Sequence, residues 1–121
     1  MLAVDDQEDA LGLLRVILES AGAHVSTAES GLSALEFLEQ HTVDVVIADI
    51  GMPVMDGFEL IRTIRHSPKA AIKSLPAAAL TAYARREDRV IALANGFQMH
   101  LTKPVNPVHL LDAIAVLSGR D

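Results

Sequence analysis

The chain alternates short apolar runs with amphipathic segments, and this pattern constrains its fold more than any other feature. Five such pairs can be counted along the 121 residues. Because strands that alternate with helices are typical of parallel sheets with helical crossovers, the pattern predicts an α/β fold. The run over residues 43–48 is apolar apart from Asp44, as expected for an inner strand covered on both faces. We therefore expect one domain over residues 1–121, built around a five-stranded parallel sheet.

Capping signals and apolar periodicity place the individual elements. Ser30 and Asn106 are typical helix N-caps, Pro107 suits a first helical turn, and Gly22 suits the left-handed residue after a helix. The third helix should stop near Ser67, which precedes a proline. The pattern predicts strands over residues 1–4, 24–28, 43–48, 77–80 and 98–101. One helix follows each strand and should turn these residues inward: Leu11, Leu14, Leu18 and Ala21; Leu32, Leu35 and Leu38; Phe58, Ile61 and Ile64; Val90, Leu93 and Ala94; Leu110, Leu111, Ile114 and Leu117.

Composition excludes several classes of function. A net charge of −6 and a pI of about 5.2 leave no basic face for a phosphate backbone, so direct nucleic-acid binding is not expected. The absence of cysteine excludes disulfides and thiolate zinc sites and fits a reducing compartment. No apolar stretch approaches the roughly 20 residues of a membrane span, and the N-terminus lacks the regions of a signal peptide. We expect a cytoplasmic domain with no membrane contact of its own.

Residues with chemical capacity follow four of the five predicted strands. Asp5 and Asp6 follow the first strand, Asp49 the third, Thr81 the fourth and Lys103 the fifth. The carboxyl ends of parallel strands share one edge of a sheet, where ligand crevices form. If these strands are neighbours, the five side chains converge on one shallow pocket.

The predicted pocket has the chemistry of a phosphoryl-transfer site. Three close carboxylates repel one another unless a cation joins them. Oxygen ligands without histidine or thiolate favour Mg²⁺ or Mn²⁺. A phosphoryl group on an Asp49 oxygen would then lie between the metal, the Lys103 ammonium and the Thr81 hydroxyl. Asp49 is therefore the candidate nucleophile.

Each of these residues also has an ordinary structural role when it is taken alone. Asp6 would cap a helix, Thr81 would be a strand or turn residue, and Lys103 would be one solvated lysine among many. Only their joint placement indicates chemistry. Asp56 precedes a glycine, which is a strong turn signal, so we assign it to loop geometry. The Lys103–Pro104 bond could be cis or trans on sequence grounds.

Four segments together resemble the receiver domain of two-component response regulators. They are the acidic pair at residues 5–6, "DIGMPVMDG" at 49–57, "LTAYA" at 80–84 and "LTKPV" at 101–105. The resemblance covers essentially the whole chain. It implies a flavodoxin-like, doubly wound five-stranded sheet in the order 2-1-3-4-5. It also implies a phosphoacceptor in a phosphorelay, served by a sensor histidine kinase or a phosphotransfer domain.

The resemblance also assigns roles to the pocket. By that similarity Asp49 accepts the phosphoryl group, Lys103 pairs with it and Thr81 reports its presence. Three further residues join the Mg²⁺ site with Asp49, namely Asp5, Asp6 and, through its backbone carbonyl, Gly51.

One position departs from the family pattern. The family places an aromatic switch residue three positions before the lysine, where this chain has His100. Because imidazole can rotate and form hydrogen bonds, His100 is either a switch residue or a partly buried polar residue of the fifth strand. Tyr83 is expected either over the pocket or against the fourth helix, and the small Ala82 should leave the site reachable.

The resemblance extends to partners and context. It implies a downstream protein partner on the surface of the fourth helix, fifth strand and fifth helix. The stretch at 80–105 and the brief ending resemble the C-terminal receiver of a hybrid histidine kinase, and the short first strand suggests a piece of a longer protein.

Two alternatives stay open on the sequence. A pseudo-receiver would keep the fold and its interfaces without taking phosphate, which His100 favours and the complete acidic and lysine set disfavours. A haloacid-dehalogenase-like phosphatase would also combine a nucleophilic Asp, Mg²⁺, a Thr or Ser and a Lys. That family has a D-x-D motif after its first strand, however, where this chain reads D-D-Q. A nucleotide-binding function is disfavoured because no glycine-rich phosphate loop follows the first strand.

Overall fold

The computed structural model describes residues 1–82 and 85–119, and its five parallel strands form one sheet in the order β2-β1-β3-β4-β5. This order confirms the expected doubly wound arrangement. The elements are β1 (Leu2–Val4), α1 (Glu8–Ser20), β2 (Ser26–Ala28), α2 (Gly31–Gln40), β3 (Val46–Asp49), α3 (Gly57–Arg65), α4 (Ala70–Lys73), β4 (Ala77–Thr81), α5 (Arg86–Asn95), β5 (Met99–Thr102) and α6 (Pro107–Leu117).

Two apolar clusters cover the two faces of the sheet. On one face α1 and α6 pack through fully buried side chains such as Leu14, Leu18 and Leu110. On the other face α2, α3, α4 and α5 pack through a second cluster that includes Leu60 and Ile61. The inner strands β1, β3 and β4 are buried along their whole length, which explains their nearly continuous apolar sequence.

The expected helix caps are confirmed. The Ser30 side chain accepts a hydrogen bond from the Ser33 amide, and the Asn106 side chain accepts from the Val108 and His109 amides. Gly22 has φ +89°, as expected for a left-handed residue after α1.

The expected inward face of the helix after β4 is wrong. Val90, Leu93 and Ala94 were expected in the core, but all three are exposed, and Ala92 is the buried residue of α5. The helix turns Asp88 and Asn95 partly inward instead, and Asn95 accepts a hydrogen bond from Arg62 of α3 at 2.6 Å. This polar contact joins α5 to α3 on the side where Ala92 packs into the core.

Smaller expectations also need correction. Leu32 is 55% exposed because Ala34 and Leu38 define the inward face of α2. Ala21 lies one residue beyond α1 and is exposed. The short helix α4 was not expected, since its four residues are too few to show a periodicity.

No described helix, over residues 1–82 and 85–119, has both the length and the apolar character needed to cross a membrane.

The loop from β3 to α3 returns so closely on itself that only glycine fits at its end. A Cβ added to Gly57 would lie 2.6 Å from the Ile50 Cα and 2.7 Å from the Asp49 carbonyl oxygen. Both atoms belong to the backbone, so the loop itself would have to shift. Gly57 thus holds the segment that follows Asp49 against the strand end.

We expect Gly57→Ala to lower the free energy of unfolding by about 2 kcal/mol, as is typical of overpacking against rigid atoms. Urea denaturation measures the change. Gly12→Ala is the matched control, because Gly12 is exposed in α1 with nothing within 4 Å of an added Cβ. That variant should gain about 0.5–1 kcal/mol from helix propensity. Equal stabilities of the two variants would contradict the close approach at Gly57.

Candidate functional site

The register of the sheet brings the predicted site residues to one edge. Val4 pairs with Ala48, so Asp5 lies beside Asp49 at the next position. Thr81 pairs with Thr102, which places Lys103 just beyond the end of β4. Asp49 and Thr81 are the last residues of their strands rather than the first residues after them, as had been expected.

Burial distinguishes the acidic residues at this edge. Asp5 is 0% exposed and Asp49 is 7% exposed, whereas Asp6 is exposed to solvent. Thr81 is 1% exposed. Asp5 and Asp49 therefore lie in the floor of the site, and Asp6 lies at its rim.

Lys103 joins the two buried carboxylates. Its Nζ lies 3.0 Å from Asp5 Oδ2 and 3.4 Å from Asp49 Oδ2. Its backbone N–H donates to the Thr81 carbonyl at 2.7 Å, which ties the loop after β5 to the end of β4. The peptide bond from Lys103 to Pro104 is cis. The lysine is thus held from both its backbone and its side chain.

Backbone amides fix the other oxygen of each buried carboxylate. The Gln7 N–H donates to Asp5 Oδ1 at 2.9 Å, and the Gly51 N–H donates to Asp49 Oδ1 at 3.2 Å. In both cases the donor lies two residues after the aspartate, the pattern of an Asx turn. Gln7 had not been expected at the site, and its spacing from Asp5 was the only signal for it. Each carboxylate therefore presents Oδ2 to the lysine.

The three carboxylates form a candidate metal centre. One oxygen each from Asp5, Asp6 and Asp49 can be chosen so that all lie within 4.8 Å of one another. An all-oxygen set of this kind suits a hard divalent cation such as Mg²⁺. The sequence prediction brought together these residues, and the structure places them together.

The local environment raises the pKa of both Asp49 and Lys103. Burial raises the pKa of Asp49, and the charge of Asp5 adds to this, although the Gly51 amide and Lys103 oppose it. Burial works to lower the pKa of Lys103, but the hydrogen bond to Asp5 and the charges of both carboxylates outweigh it and raise that pKa. The environment therefore favours the cationic form of Lys103 and disfavours the ionised form of Asp49.

We expect Asp49→Asn to raise the free energy of unfolding at neutral pH in the presence of a metal chelator. The folded-state pKa of Asp49 is above its unfolded value of 3.8, so the ionised group destabilises the fold above its folded pKa. That penalty disappears as pH falls through the folded pKa toward 3.8. The gain should accordingly be largest near pH 7 and vanish in acid, which denaturation across pH measures. A gain that is constant with pH would contradict the pKa shift.

His100 lies within β5 and is partly buried, as expected if it is a partly buried polar residue of the fifth strand. Its Nε2 is buried and has no hydrogen-bond partner within residues 1–82 and 85–119. Burial lowers the pKa of His100, the charge of Asp88 opposes this, and Arg89 adds to it. Burial of the ring therefore favours its neutral form. Whether it acts as a switch remains a prediction.

Expectations were also made for Asp56, Tyr83 and Ala82. Asp56 caps α3 and accepts the Glu59 amide at 2.9 Å, in keeping with its assignment to loop geometry. Tyr83 lies outside the residues that the structure describes. Ala82 is exposed beside the site.

Comparison with known protein sequences finds a family model and close relatives. Residues 1–115 match the model of the response regulator receiver domain. The chain is 50% identical over 111 residues to an uncharacterized 14.6 kDa protein in the sodA1 3' region of Leptolyngbya boryana, over 92% of this chain and 83% of that protein. It is 35% identical to response regulator GtcR of Aneurinibacillus migulanus and 34% identical to sensor protein GacS of Pseudomonas syringae pv. syringae. These matches cover 99% and 98% of this chain but only 46% of GtcR and 13% of GacS.

Solved structures agree with the sequence matches. Chemotaxis protein CheY4 of Vibrio cholerae superposes with a TM-score of 0.88 at 34% identity, covering 96% of this chain and 95% of that one. The signal receiver domain of a histidine kinase from Syntrophus aciditrophicus gives 0.87 at 30% identity, covering 98% and 88%. The chain therefore belongs to the response regulator receiver domain family, the phosphoacceptor domains of two-component signalling systems.

Proposed function

We propose that Asp49 is the phosphoacceptor of this receiver and takes its phosphoryl group from the phosphohistidine of a sensor histidine kinase or phosphotransfer domain. The observation that carries this proposal is the contact of Lys103 with both Asp5 and Asp49 at one buried edge. A cation held in this position can neutralise charge on an incoming phosphoryl group. The same edge is where parallel α/β sheets bind ligands.

The proposed reaction is a displacement at phosphorus. An ionised oxygen of Asp49 attacks, the new O–P bond forms as the P–N bond to the donor imidazole breaks, and the imidazole keeps the electron pair and takes up a proton. The Gly51 amide holds Oδ1 at 3.2 Å and so orients the carboxylate for attack. Lys103 Nζ, 3.4 Å from Asp49 Oδ2, pairs with the phosphoryl oxygens. Hydrolysis of the acyl phosphate returns the domain to rest.

We assign a Mg²⁺ site to Asp5, Asp6 and Asp49 together with the backbone carbonyl of Gly51. The clustered carboxylate oxygens support the assignment. When bound, Mg²⁺ supplies neutralising charge to the carboxylates and to the phosphoryl oxygens.

The conformational response is proposed to run from Thr81 through His100 to α5. Thr81 and Ala79 point to the same face of β4, since side chains alternate along a strand. His100 pairs with Ala79 in the register and so shares that face, where the charges of Asp88 and Arg89 of α5 reach it. The Thr81 hydroxyl can donate to a phosphoryl oxygen, which would bias the loop after β4 and the position of α5.

We expect Thr81→Ala to accept phosphate at a rate within about twofold of wild type while losing most of the response in α5 and β5. The reason is that the hydroxyl reports the phosphoryl group and does not attack it. Amide chemical shifts before and after phosphorylation by acetyl phosphate measure the response. Thr63→Ala is the control, since the Thr63 hydroxyl donates to the Glu59 carbonyl on the exposed side of α3. Unchanged phosphorylation-linked shifts in Thr81→Ala would contradict this role.

The surface formed by α5, β5 and α6 is proposed as the site for a downstream protein partner. Val90, Ile91 and Leu93 are 58%, 45% and 41% exposed on α5, while polar Asp88 and Asn95 are turned partly inward. A helix with its apolar side chains outward gains by contact with another surface. No direct nucleic-acid contact is proposed, because the net charge of −6 opposes it.

The longer relatives support a place within a larger protein. Similarity to sensor protein GacS and to a receiver domain of a histidine kinase favours the C-terminal receiver of a hybrid histidine kinase. Similarity to GtcR instead supports a receiver that belongs to a response regulator. We propose the hybrid kinase.

Intact mass after incubation with acetyl phosphate tests the function directly. We expect a gain of one phosphoryl group in the presence of Mg²⁺ and no gain when the cation is removed by chelation. A folded protein that binds Mg²⁺ and gains no mass would contradict the proposal and favour a phosphorylation-independent pseudo-receiver.

A further inference from the structure

The loop between β3 and α3 carries an unfavourable backbone position. Val54 has φ 67°, and within residues 1–82 and 85–119 it is the one non-glycine residue with positive φ. The Met55 N–H donates to the Pro53 carbonyl at 2.8 Å and closes a three-residue turn around it. A β-branched side chain crowds the backbone in this region, which glycine and asparagine occupy far more easily. Folding alone would therefore favour a different residue at position 54.

The Val54 side chain is also almost completely exposed to solvent. It is 93% exposed, more than any other large apolar side chain of the described residues. Its neighbours hold the loop down, because Met52 is only 5% exposed and Met55 packs against Gly31 so closely that an added Cβ would meet its sulfur at 2.7 Å. The valine is thus held outward by an anchored loop.

This loop forms part of the edge through which a phosphodonor has to approach. The Asp49 side chain is 11% exposed, so the donor group reaches it between the loops at the carboxyl ends of the strands. Of the four exposed residues at positions 6–9, in the first of these loops and at the start of α1, three are acidic, namely Asp6, Glu8 and Asp9. An acidic donor surface would be repelled there. A neutral or basic surface with an apolar socket fits this edge.

We propose that Val54 is a docking contact for the protein that delivers the phosphoryl group, and that it inserts into an apolar socket beside the donor's phosphohistidine. The inference rests on the proposed function, since a donor docks here only if Asp49 is the acceptor. A β-branched side chain on an anchored loop has few rotamers to lose on docking, and its apolar surface leaves water only in the complex. Val54 therefore acts on donor binding and leaves the chemistry at Asp49 unchanged.

The test compares two phosphodonors across matched variants. Acetyl phosphate needs no docking surface. The protein donor is the fastest of a panel of purified histidine kinases and phosphotransfer domains, radiolabelled on histidine and ranked on the wild-type chain. Val54→Asn removes the apolar surface and tolerates the backbone, and Val54→Leu keeps the apolar surface. Val116→Asn is the control, because Val116 is 59% exposed in the last turn of α6.

We expect Val54→Asn to reduce transfer from the protein donor about tenfold, the effect of one buried valine side chain. The loss should appear in the half-saturating receiver concentration and not in the maximal rate. Labelling by acetyl phosphate should stay within about twofold of wild type, and Val54→Leu and Val116→Asn should transfer normally. Urea denaturation should place the midpoint of Val54→Asn at or above that of wild type, since asparagine accepts positive φ.

Three results would overturn the docking contact. The first is transfer from the protein donor to Val54→Asn at the wild-type rate. The second is an equal loss of labelling in Val54→Asn with the protein donor and with acetyl phosphate. The third is a wild-type chain that acetyl phosphate labels and that no protein donor labels. The last of these leaves the proposed function standing. A wild type that acetyl phosphate fails to label in Mg²⁺ would instead overturn the proposed function, and the docking contact with it.

Discussion

Asp49→Asn should gain no phosphoryl mass under conditions in which the wild type gains one group. The amide keeps the size of the side chain and its contact with the Gly51 amide, but it has no anionic oxygen to attack phosphorus. Because Asp49 is the nucleophile itself, the expected loss is complete. Intact mass spectrometry after incubation with acetyl phosphate and Mg²⁺ measures it.

A second aspartate variant separates loss of the acceptor from a general change in charge. Asp112→Asn removes one negative charge from the exposed side of α6 and should be phosphorylated as the wild type is. The wild-type adduct should also be released by mild base, as an acyl phosphate is. A full mass gain in Asp49→Asn would place the acceptor on another residue.

Lys103→Ala should slow phosphorylation by about 10²–10³-fold, the range seen when one preorganised charge-stabilising group is removed from an active site. The ammonium is the cation that contacts Asp5 at 3.0 Å and Asp49 at 3.4 Å. Its loss leaves Asp5, which is 0% exposed, with the Gln7 amide as its remaining described partner. A time course of radiolabel from a phosphohistidine donor measures the rate.

The same variant should be less stable in a metal chelator by about 2 kcal/mol, less than for a fully buried pair because the Lys103 side chain is 28% exposed. Lys69→Ala is the control. It breaks an exposed pair with Glu39, whose side chains are 55% and 56% exposed, and should cost at most about 0.5 kcal/mol without slowing phosphorylation. Wild-type phosphorylation kinetics in Lys103→Ala would contradict the role of the lysine.

Most of the candidate site could be predicted from sequence because its members lie at the ends of recognisable strands. The apolar runs before Asp5, Asp49 and Thr81 mark strands by composition alone, and parallel strands place their carboxyl ends on a common edge. The helix caps at Ser30 and Asn106 could also be predicted, because a cap depends on residues only two or three positions away. The strand order, by contrast, came from family resemblance, because periodicity says nothing about which strands are neighbours.

Local sequence was enough to predict the five strands, the five longer helices, their caps at Ser30 and Asn106 and the chemical character of the strand-end residues, because these depend on near neighbours in the chain. The contact between Lys103 and Asp5, 98 positions apart, forms only in the folded chain, since it follows from the register of separate strands. The tertiary structure also decided the rotation of α5, where the hydrogen bond from Arg62 to Asn95 accompanies an outward apolar face that periodicity had assigned to the core. The positive φ of Val54 is likewise a feature of the folded loop, in which Met52 is buried and Met55 packs against Gly31.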